Sequence, residues 1–202
     1  SPTAISPWVL SAAASSHDRI TTNRLIGLVG GATPPPGGGE LVGTGFTVGS
    51  PMLDIRFDPA KPDCRATGSN PDAPAWPPNT FVGAAVVCEV RSDVAFSLQL
   101  TNARNAGAQG LILLNGEGFG ERTVALSGQI PVSHIAESRA AAFRTWLQSG
   151  SGHRGRFEGA RAARDSRAGD QLAAFSSRGP VPIAVLKPDV AAPGVDIVAA
   201  NI

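Results

Sequence analysis

The sequence predicts a mixed α/β (α+β) fold built around one strand–helix–strand unit. Two observations predict it. Residues 81–88 and 110–114 are short, nearly continuous apolar runs, as expected of strands buried on both faces. Between them Phe96, Leu100 and Ala103 recur at i, i+4 and i+7, the spacing of one helix face. Strand, helix and strand in this order form a βαβ crossover, which cannot cover both faces of its own strands and requires further sheet and helix from the flanking sequence. Ser92 and Asp93 are placed to cap and charge the first helical turn, and Gly107 can end the helix in the left-handed conformation.

The remaining elements follow in order. Residues 6–14 make a short apolar strand, and residues 15–19 are its polar exit. Residues 24–30 and 40–47 are strand-like, and the Gly- and Pro-rich stretch 31–39 between them has nothing to pack in a core, so it reads as a hairpin loop. In residues 52–57 the apolar side chains alternate with Asp54 and Arg56, the period of a half-buried strand. Residues 58–79, rich in proline and aspartate, form a surface loop; Asp54, Asp58, Asp63 and Asp72 do not have the spacing of a calcium-binding loop and serve as turn formers. Residues 115–122 make a glycine-rich loop that lacks the Lys-Ser/Thr of a phosphate cradle. A strand at 129–135 and a helix at 137–148, with Ala140, Phe143 and Leu147 on one stripe, come next. Residues 152–171 lose periodicity and read as a linker. The composition changes on either side of residues 20–171, which marks that stretch as an insertion, with segments 1–19 and 172–202 belonging to something else.

Composition narrows the function classes. A 202-residue chain that is 42% hydrophobic and 16% charged can bury a core and is not of the disordered class. No apolar run reaches the roughly 18 residues of a membrane span, and the first residues lack the plan of a signal peptide. A start at Ser1 reads as an excised or processed piece. The net charge of +1 argues against a general nucleic-acid binder. The arginines between Arg139 and Arg167 are diluted by Glu137, Glu158, Asp165 and Asp170, as on a solvated helix and linker.

Cys64 and Cys88 are the only cysteines, too few for a thiolate zinc site and without a histidine at ligand spacing. The reading adopted is a disulfide worth roughly 3 kcal/mol, against the alternative of two buried free thiols. A disulfide places the chain outside the reducing cytosol, as an extracellular protein.

The last thirty residues carry the most specific pattern. Phe175, Ser176, Ser177, Arg178, Gly179 and Pro180, followed by the run 186–200 with Pro188, Asp189, Pro193 and Gly194, closely resemble the segment before the nucleophile in subtilisin-like serine proteases. Residues 6–15 resemble the core strand after the oxyanion-hole asparagine, with Ala13 where that family usually has glycine. The stretch between resembles the protease-associated (PA) domain inserted in large secreted subtilases, on the strand ending in Cys88, the helix ending at 105–108, the strand 110–114 and the strand at 130–132 with its following helix. Cys64 matches the family's cysteine before the first core strand. The resemblance implies catalytic-domain strand segments at 1–19 and 172–202 around an inserted PA domain at 20–171, its core at about residues 50–150, with a small β-rich sandwich or barrel-like sheet and two or three helices.

The same resemblance implies that the triad and oxyanion motifs lie outside this chain, so no catalytic residue, metal ligand or cofactor is assigned to it, and it is expected to be inactive alone. His17, His134 and His153 read as structural, and Ser176 and Ser177 as strand residues bonding locally. The expected function is that of a non-catalytic internal fragment of a secreted subtilisin-like endopeptidase, whose PA domain contributes to substrate selection, active-site access or protein–protein contact. The expected partners are the protein or peptide substrates of the parent, the rest of its catalytic domain, and a second copy through a homodimer or exposed strand edges. The alternatives are a free-standing PA-type binding module and, behind it, a hydrolase using His134.

Overall fold

A computed structural model of the chain describes residues 8–68, 70, 73–166, 169–173, 176 and 187–194. In chain order the first elements are β1 (Ala12–Ser15), β2 (Arg19–Val29), a 3-10 turn at Pro36–Gly38, β3 (Glu40–Thr44), β4 (Leu53–Phe57) and β5 (Ala84–Glu89). Helix α1 (Phe96–Asn105), β6 (Gly110–Leu114), β7 (Val132–Ile135), α2 (Glu137–Leu147), β8 (Arg154–Phe157), β9 (Arg161–Arg164) and β10 (Val190–Pro193) follow. These divide into two compact units, Ser1–Ile20 with Ala162–Ile202, and Thr21–Arg161.

The larger unit is a barrel. Its strands run in the order β3-β7-β6-β5-β4-β8-β2, and a further pairing of β3 with β2 closes the ring of seven. β4, β5, β6 and β7 are parallel to one another, whereas β8, β2 and β3 join antiparallel. The hairpin read around residues 31–39 is the β2–β3 pair, with Leu25 opposite Leu41. β2 changes register between Ile26 and Val29, where Gly27 takes φ 64°, so the strand bulges as it curves around the barrel.

The continuous apolar runs of β5 and β6 are explained by two separate cores. Ala85, Val87, Ile112 and Leu114 point inward with Leu25, Leu28, Leu41, Leu53, Ile55, Ile135 and Phe157, and α2 adds Ala140, Phe143 and Trp146 to this cluster. Ala84, Val86, Cys88, Leu111 and Leu113 point outward against Ala103 and Ala106 of the α1 region and against Cys64, Trp76 and Phe81. Every residue of β6 is buried, as a strand covered on both faces requires. Gly110 has no room for a side chain, because a Cβ there would lie 2.5 Å from the Phe157 ring.

Two details differ from the sequence expectation. Helix α1 begins a turn later than Ser92, with Ala95 at its N-cap and no side-chain cap bond. Asp93 instead pairs with Arg65 at 2.9 Å and caps nothing. Its C-terminal end is as expected: Gly107 takes φ 80°. The second difference is β8, a strand in the stretch read as linker. Its inward positions are Gly155 and Phe157, and a Cβ on Gly155 would lie 2.7 Å from Leu28, so the missing side chain makes space for that leucine.

Candidate functional site

In the smaller unit β1 and β10 pair in parallel, Ala12 beside Val190 and Ser15 beside Pro193. The pair is held by Asp189, whose Oδ2 accepts the Ser11 N–H at 2.7 Å and the Ser11 hydroxyl at 3.1 Å. Lys187 Nζ donates to the same oxygen at 2.7 Å and to the Val9 carbonyl at 2.6 Å. The Lys187 ammonium, followed by the Ser11 N–H, holds the Asp189 carboxyl down at about 2. The Lys187–Pro188 peptide bond just before β10 is cis. Gly194 lies so close to β1 that a Cβ would come within 2.9 Å of the Ala14 methyl group. Ser176 Oγ accepts the Ala14 N–H at 3.0 Å, a bond reaching far along the chain rather than a local one. Of the motif residues singled out in the sequence, Ser176, Pro188, Asp189, Pro193 and Gly194 thus brace one strand pair. Phe175, Ser177, Arg178, Gly179 and Pro180 lie outside the described residues.

The disulfide joins Cys64 to Cys88, Cα atoms 5.4 Å apart. It ties the loop after β4 to the end of β5, and both half-cystines are fully buried. Cys64 itself takes φ 59°, a left-handed conformation rare for a residue with a side chain. Two buried polar side chains of α1 hold this turn in place. Asn102 Nδ2 donates to the Cys64 carbonyl at 2.9 Å, and Gln99 Nε2 donates to the carbonyls of Asp63 and Glu89 at 3.0 and 2.8 Å. As polar residues within an amphipathic helix, Gln99 and Asn102 carry no sequence signal of this role.

The glycine-rich loop is held at both ends. Asn115 Nδ2 donates to the carbonyls of Gly120 and Arg122, both at 2.9 Å. Glu137, in the first turn of α2, accepts the N–H groups of Gly118 and Gly120. Glu121 returns the arrangement by accepting the Ser138 N–H at 2.9 Å and its hydroxyl at 2.8 Å, bonds that lower its carboxyl below the usual range. His134 on β7 is buried beneath the loop, 1% exposed, and burial pushes its imidazole down to about 4. Its ring meets Phe96 edge to face, centroids 5.4 Å apart.

The other two histidines make separate contacts. His153 Nε2 contacts the Trp146 carbonyl at 2.9 Å, and its ring stacks edge-on against Trp146 with centroids 4.6 Å apart. His17 Nδ1 accepts the Arg19 N–H at 3.0 Å. Among the described residues, the partners of the three ring systems are backbone groups and Asn115 rather than a serine hydroxyl that a base would activate. Among the described residues there is no group of three or more His, Cys, Asp or Glu arranged to hold a metal ion, and no helix is long and apolar enough to cross a membrane. The barrel unit bears an open groove of 280 Å³ lined by Phe46, Thr47, Val48, Gly128, Gln129, Ile130 and Pro131. None of these lining residues is charged.

Residues 48–143 match the PA domain family. Over nearly its whole length the chain is also similar to plant subtilisin-like proteases. It is 29% identical over 204 residues to Subtilisin-like protease SBT5.4 of Arabidopsis thaliana, covering 97% of this chain and 25% of that protein. It is 30% identical over 203 residues to SBT3.10 of the same plant, covering 97% of this chain and 24% of that protein. To SBT1.4, also from that plant, it is 30% identical over 205 residues, covering 98% of this chain and 24% of that protein. The chain therefore spans about a quarter of the length of the relatives it matches. The likeness drawn from the residues, to a subtilisin-like protease segment with an inserted PA domain, is borne out.

Proposed function

From a PA domain set within a segment of the subtilisin-like protease family, we propose that this chain is a non-catalytic part of a secreted serine endopeptidase. Its barrel unit governs which polypeptides reach the parent's cleft. The observation that carries this reading is the extent of the similarity, which runs through both flanks as well as the inserted domain, over 97% of the chain. The braced β1–β10 pair supports it from another side, since Asp189 and Lys187 serve to fix strands rather than to do chemistry. The apolar, uncharged groove beside Phe46 and Ile130 supports contact with extended polypeptide. A buried disulfide supports an extracellular setting, because such bonds persist where thiol reductants are scarce.

The test compares the full-length parent protease with a form in which residues 21–161 are replaced by a short turn. Small chromogenic peptides and intact protein substrates are offered to both. The expected result is retained peptide cleavage with an altered ranking of protein substrates, read as kcat/KM ratios. An unchanged ranking removes the substrate-selection role. Covalent labelling of the isolated 202-residue chain by a serine-directed active-site probe refutes the non-catalytic assignment.

A further inference from the structure

His134 sits where β7 passes beneath the loop of residues 115–124, and it is bonded to that loop from both ring nitrogens. Nδ1 faces the Val124 N–H at 3.0 Å, and an N–H can only donate, so Nδ1 carries no proton. Nε2 faces Asn115 Oδ1 at 2.7 Å. The Asn115 amide is oriented by its other end, where Nδ2 donates to the Gly120 and Arg122 carbonyls, so its oxygen must accept from Nε2–H. The ring is therefore the neutral Nε2–H tautomer, and one continuous relay runs from Val124 through His134 and Asn115 to Gly120 and Arg122.

The surroundings leave a second proton unsupported. Cross-strand from His134 are Leu113 of β6 and Thr44 of β3, and α1 presents the Phe96 ring; all are uncharged. No charged group contributes to the position of its titration. Of the charged residues of the loop and of α2, Glu121 bonds Ser138, Glu137 bonds Gly118 and Gly120, and Arg144 pairs with Glu89. A proton on Nδ1 would point at the Val124 N–H, replacing an acceptor with a donor.

We infer that His134 is an acid-operated latch on this loop. When Nδ1 takes up a proton from solvent, the Val124 bond is lost while Nε2–H keeps its bond to Asn115, and the stretch from Gly116 to Val124, with Phe119 in it, loses its tether to β7. The rest of the barrel keeps its strand pairing, because β5 and β6 are fixed by two apolar cores in which His134 takes no part. The loop's glycines 116, 118 and 120 make it the segment best able to move once freed. This inference concerns the barrel unit alone and is independent of the parent's activity.

The test is a pH titration of the 202-residue chain by NMR from pH 7.5 to 3, following the His134 ring, the Val124 amide and the hydrogen exchange of all amides. The expected result is a shared midpoint near pH 4 for the ring and the Val124 amide, with protection in residues 116–124 falling at least tenfold beyond the intrinsic pH effect. Amides of β5 and β6 stay protected. In His134→Gln, which keeps a polar side chain but cannot become a cation, loop exchange no longer depends on pH in this way. Titration of the ring near 6.5, or at 4 with Val124 unmoved, overturns the inference. A loop opening that persists in His134→Gln and vanishes in Glu121→Gln/Glu137→Gln assigns the release to the carboxylates and overturns it equally. Should His134→Gln not fold, the shared midpoint in the natural sequence decides alone.

Discussion

Asn102 donates its side-chain N–H to the carbonyl of Cys64, 38 residues earlier in the chain, and so anchors from the helix the left-handed turn that the disulfide anchors from the strand. A residue of the wrong polarity for a helix's buried face is there because a buried carbonyl needs a donor. Asn102→Ala leaves that carbonyl without one, and a loss of about 1–3 kcal/mol is expected. Urea denaturation of the two forms measures it; a change within a few tenths of a kcal/mol means water has replaced the amide.

The bond between Cys64 and Cys88 closes a loop of 24 positions, for which chain entropy gives about 3 kcal/mol. Cys64→Ser/Cys88→Ser should be destabilised by about that amount. Since both half-cystines are 0% exposed, a mild thiol reductant should leave the native chain oxidised and reduce it only when denaturant opens the outer core. Ready reduction without denaturant, followed by mass spectrometry of alkylated chain, contradicts this.

Acid weakens the fold through His134. The imidazole titrates at 6.5 in the unfolded chain and at about 4 when buried, so below pH 6.5 the unfolded state gains a proton that the native state refuses. Stability is full above pH 6.5, falls as the pH drops toward 4, and loses roughly 3 kcal/mol across that window. The slope of unfolding free energy against pH, compared between the natural chain and His134→Gln, isolates this contribution. Identical slopes would show that other groups carry it.

Asp189 responds to acid in a lower range. Its carboxyl, held at about 2 by Lys187 and the Ser11 N–H, supports the β1–β10 pair above pH 3.8, and the support is lost as the pH falls through 2. At neutral pH, Asp189→Asn should raise hydrogen exchange in residues 11–15 while leaving the barrel unchanged. Unchanged exchange there would mean that Lys187 and the strand bonds suffice.

The smaller unit exposes sticky surface. Trp8 is 84% and Leu10 74% exposed, and β10 is exposed along its length. Unpaired strand edges and apolar side chains of this kind recruit other chains, so the 202-residue chain should associate with rising concentration in sedimentation velocity. Trp8→Ser/Leu10→Ser should reduce the association. A concentration-independent monomer rules out this edge as an interface.

Legibility in the sequence followed how much each residue's chemistry depends on its neighbours. β6 and the body of α1 were readable because Leu111 to Leu114 are a continuous apolar run and the Phe96, Leu100, Ala103 stripe, which packs on the outer core, shows helical spacing by itself. β8 was not, since Arg154, Gly155, Arg156 and Phe157 show a single apolar side chain; the other inward position is filled by Leu28 from β2, which no local pattern reveals. The start of α1 was misjudged because Asp93 found a partner in Arg65, 28 residues away, and left capping undone. The same holds for His134. Its environment is assembled from β3, β6, α1 and a loop, so its type and place in the sequence pointed only to a structural role.

The barrel's two chain ends leave side by side: Thr22 Oγ1 reaches the carbonyl of Arg161 at 3.5 Å. For folding, this changes the distance the smaller unit must bridge. Ser11 and Asp189 lie 178 positions apart, a long loop to close before any reward is felt. Once the barrel has formed, its 141 residues from Thr21 to Arg161 act as a single knot in the thread, and the remaining search is that of a short loop. β1 and β10 should therefore meet late and quickly, after the barrel has brought their tethers together.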